Sequence, residues 1–126
     1  RGHADRALEL APGDVGARGQ RAQILRRLGE WKGAIEDYSR VLDAMPDDGP
    51  SYGARAGCLL ALPVPADARD RMEAIVRDVE AYRKLEPRDS IGVTSAARRW
   101  IARELVGHGE LAAVAPAALE RLGPPR

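Results

Sequence analysis

Three observations predict an all-helical chain. Aromatic residues make up only 4% of the 126 positions and Phe is absent. A core must therefore be built from Leu, Ala, Val and Ile, which suits close-packed helices better than a β-sandwich. Apolar residues recur at helical spacing along most of the chain. A closing phrase also recurs: Leu10-Ala11-Pro12-Gly13-Asp14, Ala44-Met45-Pro46-Asp47-Asp48 and Leu85-Glu86-Pro87-Arg88-Asp89, with prolines 34 and then 41 residues apart. Each Pro ends a helix by disfavouring helical geometry in the residue before it. The following Asp is placed to cap the next helix.

Two further sets keep the same offsets. Ala22, Ala56 and Ala97 are 34 and 41 apart, as are Leu25, Leu59 and Trp100. All three sets place one seven-residue insertion between Leu59 and Pro87. The length fits one domain with a modest core.

The unit at 15–48 resembles the tetratricopeptide repeat, whose helix–turn–helix period is about 34 residues with a closing Pro. Ala34 and Tyr38 match the family's Ala-x-x-x-Phe element, Pro46 its proline, and Gly29-Glu30-Trp31 its Gly-acid-aromatic turn. The first helix departs from the pattern: Arg18 and Arg21 stand where Trp and Leu are usual, Ala22 where Gly is, and Leu25 where Tyr is. The resemblance implies a right-handed α-α superhelix, a solenoid of about three helix pairs with a long inserted helix. It divides the chain into a half repeat at 1–14, a repeat at 15–48, a repeat with the insertion at 49–89, a degenerate capping pair at 90–122 and a tail at 123–126.

In order, residues 1–11 read as the tail of a helix with Ala4, Ala7, Leu8 and Ala11 on one face, and His3 as solvated. The chain has no initiating Met and opens inside a helical pattern, as an excised piece would. Residues 15–28 form the next helix, with Ala22, Leu25 and Leu28 inward; Gly16 and Gly19 each weaken it by roughly 1 kcal/mol relative to Ala. Gly29 stops it in the left-handed conformation. Trp31 fills the corner, where truncation to Ala costs about 3–5 kcal/mol. Ala34, Ile35, Tyr38, Val41, Leu42 and Met45 form the inward stripe of 32–45.

At 50–62, Gly53, Ala54, Gly57, Cys58 and Ala61 make a small-residue face, read as tight packing before binding. Cys58 is the one cysteine, so no intrachain disulfide forms, and it reads as a small buried residue. Pro63-Val64-Pro65 breaks the chain, and Asp67 caps a long helix at 67–85 with Met72, Ile75, Val76, Val79, Tyr82 and Leu85 inward. The insertion extends this helix and its preceding loop, projecting from the body with Arg69, Asp70, Arg71 and Glu73 solvated. Residues 89–106 place Ile91, Ala97, Trp100, Ile101 and Leu105 inward. Gly107-His108-Gly109 is a turn. A last helix at about 110–122 is short or broken, because Pro116 is tolerated only in a first turn or at a kink.

The sequence carries none of the common catalytic or metal-binding patterns. There is no Gly-rich phosphate loop, no Cys or His cluster at metal spacing and no His-Glu-x-x-His pattern. Carboxylates read as turn residues or as members of solvated faces. The expectation is a non-enzyme with no cofactor and no metal. The net charge of +1 gives no electrostatic footprint for nucleic acid or an anionic membrane. Only two of the 20 basic residues are lysines, Lys32 and Lys84, a bias that GC-rich codons explain.

By the resemblance, first helices line a concave groove that binds a peptide or helix of another protein. Phase places Gly16, Gly19, Gln20, Gln23, Arg26 and Arg27 there, then Gly53, Ala54 and Gly57, then Thr94, Ser95 and Arg98. The chaperone-tail-binding subgroup clamps its ligand with Lys and Asn; Gly19 and Gln23 stand in those places, which argues against that partner. The expected occupant is an acidic or small-side-chain segment touching Gln23, Arg26 and Arg98, in a cytoplasmic, bacterial scaffold. The alternative is a structural segment of a longer solenoid, or homo-oligomerisation through the open half repeat. A third reading, nucleic-acid contact through Arg98, Arg99 and Arg103, rests on that patch alone.

Overall fold

A computed structural model describes residues 14–63 and 67–123. The half repeat with His3, positions 64 and 65 of the Pro-Val-Pro break, and most of the tail lie outside the described residues. Within them the chain is helical and has no strand. Six α-helices follow in order: α1 Val15–Arg27, α2 Trp31–Ala44, α3 Gly49–Ala61, α4 Ala68–Leu85, α5 Ile91–Gly107 and α6 Ala115–Leu122, with a 3-10 helix at Gly109–Ala113 before α6. Each of α1 to α4 packs on its neighbour in sequence across a short connection, which makes neighbours antiparallel. Helices α1 and α3 both pack on α2 and so run parallel to each other.

Local chemistry explains the boundaries. Asp14 accepts from the Gly16 N–H at 2.7 Å and caps α1. Gly29, at φ +76°, turns the chain in the left-handed region that Gly adopts without steric cost. Asp48 holds the Ser51 hydroxyl rather than a backbone N–H. At the third phrase the residue flanking the helix is Ser90, not Asp89. Pro116 lies in the first turn of α6, and the expected break falls at Val114 between the 3-10 helix and α6.

Two groups of buried side chains hold the fold. Ala22, Leu25, Ala34, Tyr38 and Cys58 join α1, α2 and α3. Met72, Ile75, Val76, Val79, Trp100, Ile101, Leu111 and Leu122 join α4 to α6. Trp31 packs against the first group but is only half-buried, so its truncation should fall below the 3–5 kcal/mol range of a full core aromatic.

Charged residues also enter the interior, against the expectation that carboxylates sit at turns or on solvated faces. Asp37 is fully buried and accepts from Arg21 Nε at 2.6 Å and Nη2 at 2.7 Å. Asp78, 3% exposed, accepts from Arg55 Nε at 2.8 Å and Nη2 at 2.7 Å. Arg55 also donates to Ser39 Oγ, and Ser39 donates to the Ile35 carbonyl. The arginines are 34 residues apart and the aspartates 41, the offsets of the prolines and alanines. Burying each carboxylate is compensated by a bidentate guanidinium. At the next step of 41, position 96 is Ala, so the pairing stops after the second unit.

Five expectations about the interior are corrected. Leu28, Met45 and Ile91 are 58%, 48% and 42% exposed instead of inward. Each sits at a helix end, where no neighbouring helix crosses to cover it. The insertion does not project. It adds four residues to α4 relative to α2 and three to the connection. The added turn buries Ala68 and Met72 in the second core group. Arg71 is buried, not solvated, because it reaches the carbonyls of Leu59, Leu62 and Pro63 at 3.3–3.5 Å and covers the end of α3.

Candidate interaction surface

The small-residue faces of α1 and α3 look into one open hollow of about 730 Å³. Helix α1 contributes Gly16, Gly19, Gln23 and Arg26, positions spaced three to four residues apart and so on one face. Helix α3 contributes Gly53, Ala54 and Gly57. Sequence phase places all seven there, and the structure brings them together. Gln20 and Arg27 are exposed on α1 outside the hollow.

The glycines play two parts. A Cβ on Gly53 would fall inside van der Waals contact with the Tyr82 ring, 2.6 Å from its Cδ2, so Gly53 is small because α4 packs over it. At Gly19 and Gly57 a Cβ meets nothing within 4 Å. Those two leave backbone open to the hollow.

Thr94, Ser95 and Arg98 line a different cavity, of about 450 Å³, between α4, α5 and the end of α6. Arg98 Nη1 donates to the Leu119 carbonyl at 3.1 Å and to that of Gly123. Arg83 Nη1 donates to the Leu122 carbonyl at 2.7 Å. Both guanidiniums satisfy carbonyls that α6 leaves unpaired at its C-terminus. Nearby, Arg121 bridges Glu73 and Glu80 at 2.5–2.9 Å, which ties α6 to the extended α4.

Several residues of the first hollow escape sequence reasoning. Tyr38, Val41, Met45 and Tyr82 come from the second helices of their units, and Asp48, Asp89 and Val93 from the starts of α3 and α5. Tyr38 reads as core, and it is 4% exposed, yet it also lines the hollow. Its phenol lies above its ordinary pKa because burial disfavours the phenolate, with Arg26 opposing. Burial likewise raises the Cys58 thiol, and Arg26 again opposes. A thiol held protonated is a weak nucleophile.

No group of three or more His, Cys, Asp or Glu residues able to hold a metal occurs among the described residues, and no described helix is long and apolar enough to cross a membrane. Compared with known proteins, the chain is matched by no family model, no curated protein and no solved structure.

Proposed function

We propose that this chain is a protein-interaction scaffold: a tetratricopeptide-like, right-handed superhelix of helix pairs that binds a peptide or helix of a partner protein in the hollow between α1 and α3. The observation that carries the reading is the pairing of open backbone at Gly19 and Gly57 with polar side chains, Gln23 and Arg26, that make no described ion pair or hydrogen bond. Small residues admit a ligand's backbone, and uncommitted donors orient it. The repeated Arg–Asp pairs support a repeat of helix pairs, because each ties the two helices of one unit, α1 to α2 and α3 to α4, through the same chemistry. The proposal assigns no catalysis, cofactor, metal or nucleic acid, and places the protein in the cytoplasm.

A peptide array probed with the chain and with Gly57→Leu tests it. A Cβ at position 57 meets nothing within 4 Å, and Gly57 lines the hollow, so a Leu side chain there grows into it. Peptides captured by the native chain should be lost from the folded variant. Capture that survives Gly57→Leu would reject the hollow as the binding face.

A further inference from the structure

The two ends of the hollow differ in charge. Because α1 and α3 run parallel, their N-terminal ends and the turn before α5 share one rim, which carries Asp48 and Asp89. Gln23 and Arg26 stand on the opposite rim beside Gly57. From Gly16 to Arg26 the helix rises about 15 Å. Between the rims the wall is largely apolar, with Val41, Met45, Tyr82 and Val93.

Tyr38 brings a polar group to that wall. The Tyr38 hydroxyl has no hydrogen-bond partner among the described residues, although the residue is 4% exposed and lines the hollow. That oxygen is not one of the buried atoms left unpaired, so it reaches solvent and is open to a ligand. The hydroxyl lies within the field of Arg26. A phenol O–H, an amide and a guanidinium at one end form a donor set suited to a carboxylate. Asp48 and Asp89 at the other end suit a cation.

Resting on the hollow as the partner-binding face, we propose that its occupant is an extended, charge-polarised peptide segment. It bears a carboxylate side chain held by Tyr38 Oη, Gln23 and Arg26, and a Lys or Arg side chain toward Asp48 and Asp89. At about 3.3 Å per extended residue, the two charged residues stand four to five positions apart. A uniformly acidic segment sets one of its charges against the aspartates, and a uniformly basic one sets a charge against Arg26.

The test is a chemical-shift titration of the ¹⁵N-labelled chain with end-blocked synthetic peptides. Their charged residues stand about five positions apart on a Gly/Ala/Ser background. The peptides carry Glu and Lys in both chain orders, Glu and Gln in both orders, or two Glu, two Lys or two Gln. One Glu–Lys order should bind roughly tenfold tighter than the doubly acidic, doubly basic or neutral peptides. Tyr38→Phe and Arg26→Gln should each weaken that peptide by roughly three- to tenfold, and Asp89→Asn should erase the preference for Lys over Gln. Equal binding of the Glu–Lys and neutral peptides, or no change on Tyr38→Phe, overturns the polarity. If Tyr38→Phe fails to fold, the exposed Arg26→Gln reads the same end. Binding that lacks charge preference but is removed by Gly57→Leu leaves the hollow as the partner face and rejects the polarity alone. Binding of no peptide, or binding indifferent to Gly57→Leu, rejects both.

Discussion

Helices α1 and α3 each present two faces, and the faces use the same residue types in opposite ways. Toward α2 and α4, Arg21 and Arg55 donate through Nε and Nη2 to a buried carboxylate. Toward the hollow, Arg26 is exposed and makes no described ion pair. Gly53 is pressed against Tyr82, whereas one turn along the same helix Gly57 faces open space. An arginine or glycine is therefore structural or available according to what lies opposite it, and residue type alone does not decide. Two arginines and one glycine are committed to the fold. Arg26, Gly19 and Gly57 are left for a partner.

The strongest challenge to this contrast comes from the committed arginines. Arg55→Met strands Asp78 in the interior and should cost about 3–5 kcal/mol near pH 7, as should Arg21→Met for Asp37. Burial already holds the Asp78 carboxyl above its ordinary 3.8, and the hydrogen bonds from Arg55 pull it back. Without Arg55 the folded-state pKa climbs further above the unfolded value. A raised carboxyl makes the folded form the better proton binder, so stability is greatest at low pH and is lost as pH rises through the folded pKa. Urea unfolding of Arg55→Met against the native chain should show the deficit narrowing as the pH falls toward about 4; a deficit independent of pH contradicts the stranded carboxylate.

Glycine substitutions sharpen the contrast at smaller scale. Gly53→Ala should destabilise by about 1–3 kcal/mol, because the Tyr82 ring must move. Gly57→Ala and Gly19→Ala should instead stabilise by up to about 1 kcal/mol each, since helix propensity improves and nothing is displaced. Thermal unfolding of the three variants distinguishes the signs. Smallest of all, Arg26→Ala should change stability by less than about 0.5 kcal/mol. A larger loss would place Arg26 among the committed residues.

Much of the fold is legible in the sequence. The prolines and Gly29 mark the helix ends within a few residues, and the offsets of 34 and 41 locate the insertion. The buried ion pairs were within reach of the same offsets, since Arg21 and Arg55 obey the first and Asp37 and Asp78 the second. They are missed because a charged residue on a helix is ordinarily solvated. Periodicity also overreaches at helix ends, where Leu28, Met45 and Ile91 continue an apolar stripe past the last residue that can cover them.

The candidate site divides along similar lines. Gly16, Gly19, Gln23 and Arg26 share a face by spacing alone, so their convergence with Gly53 and Gly57 is readable. Ser95 and Arg98 have the right phase but lie elsewhere, because the unpaired carbonyls at the end of α6 draw Arg98 to them. That demand is set by a helix break more than twenty residues downstream, which phase does not carry. Tyr38 is missed because a residue can be almost wholly buried and still show its one polar atom to a hollow.

The most direct measurement maps a captured peptide onto the chain. Amide chemical-shift changes on titration should concentrate at Gly19, Gln23, Arg26, Gly53 and Gly57, and leave Arg83, Ser95 and Arg98 unmoved. Shifts concentrated around Ser95 and Arg98, with Gly19 and Gly57 silent, would contradict the assignment of the hollow between α1 and α3 as the face that meets a partner.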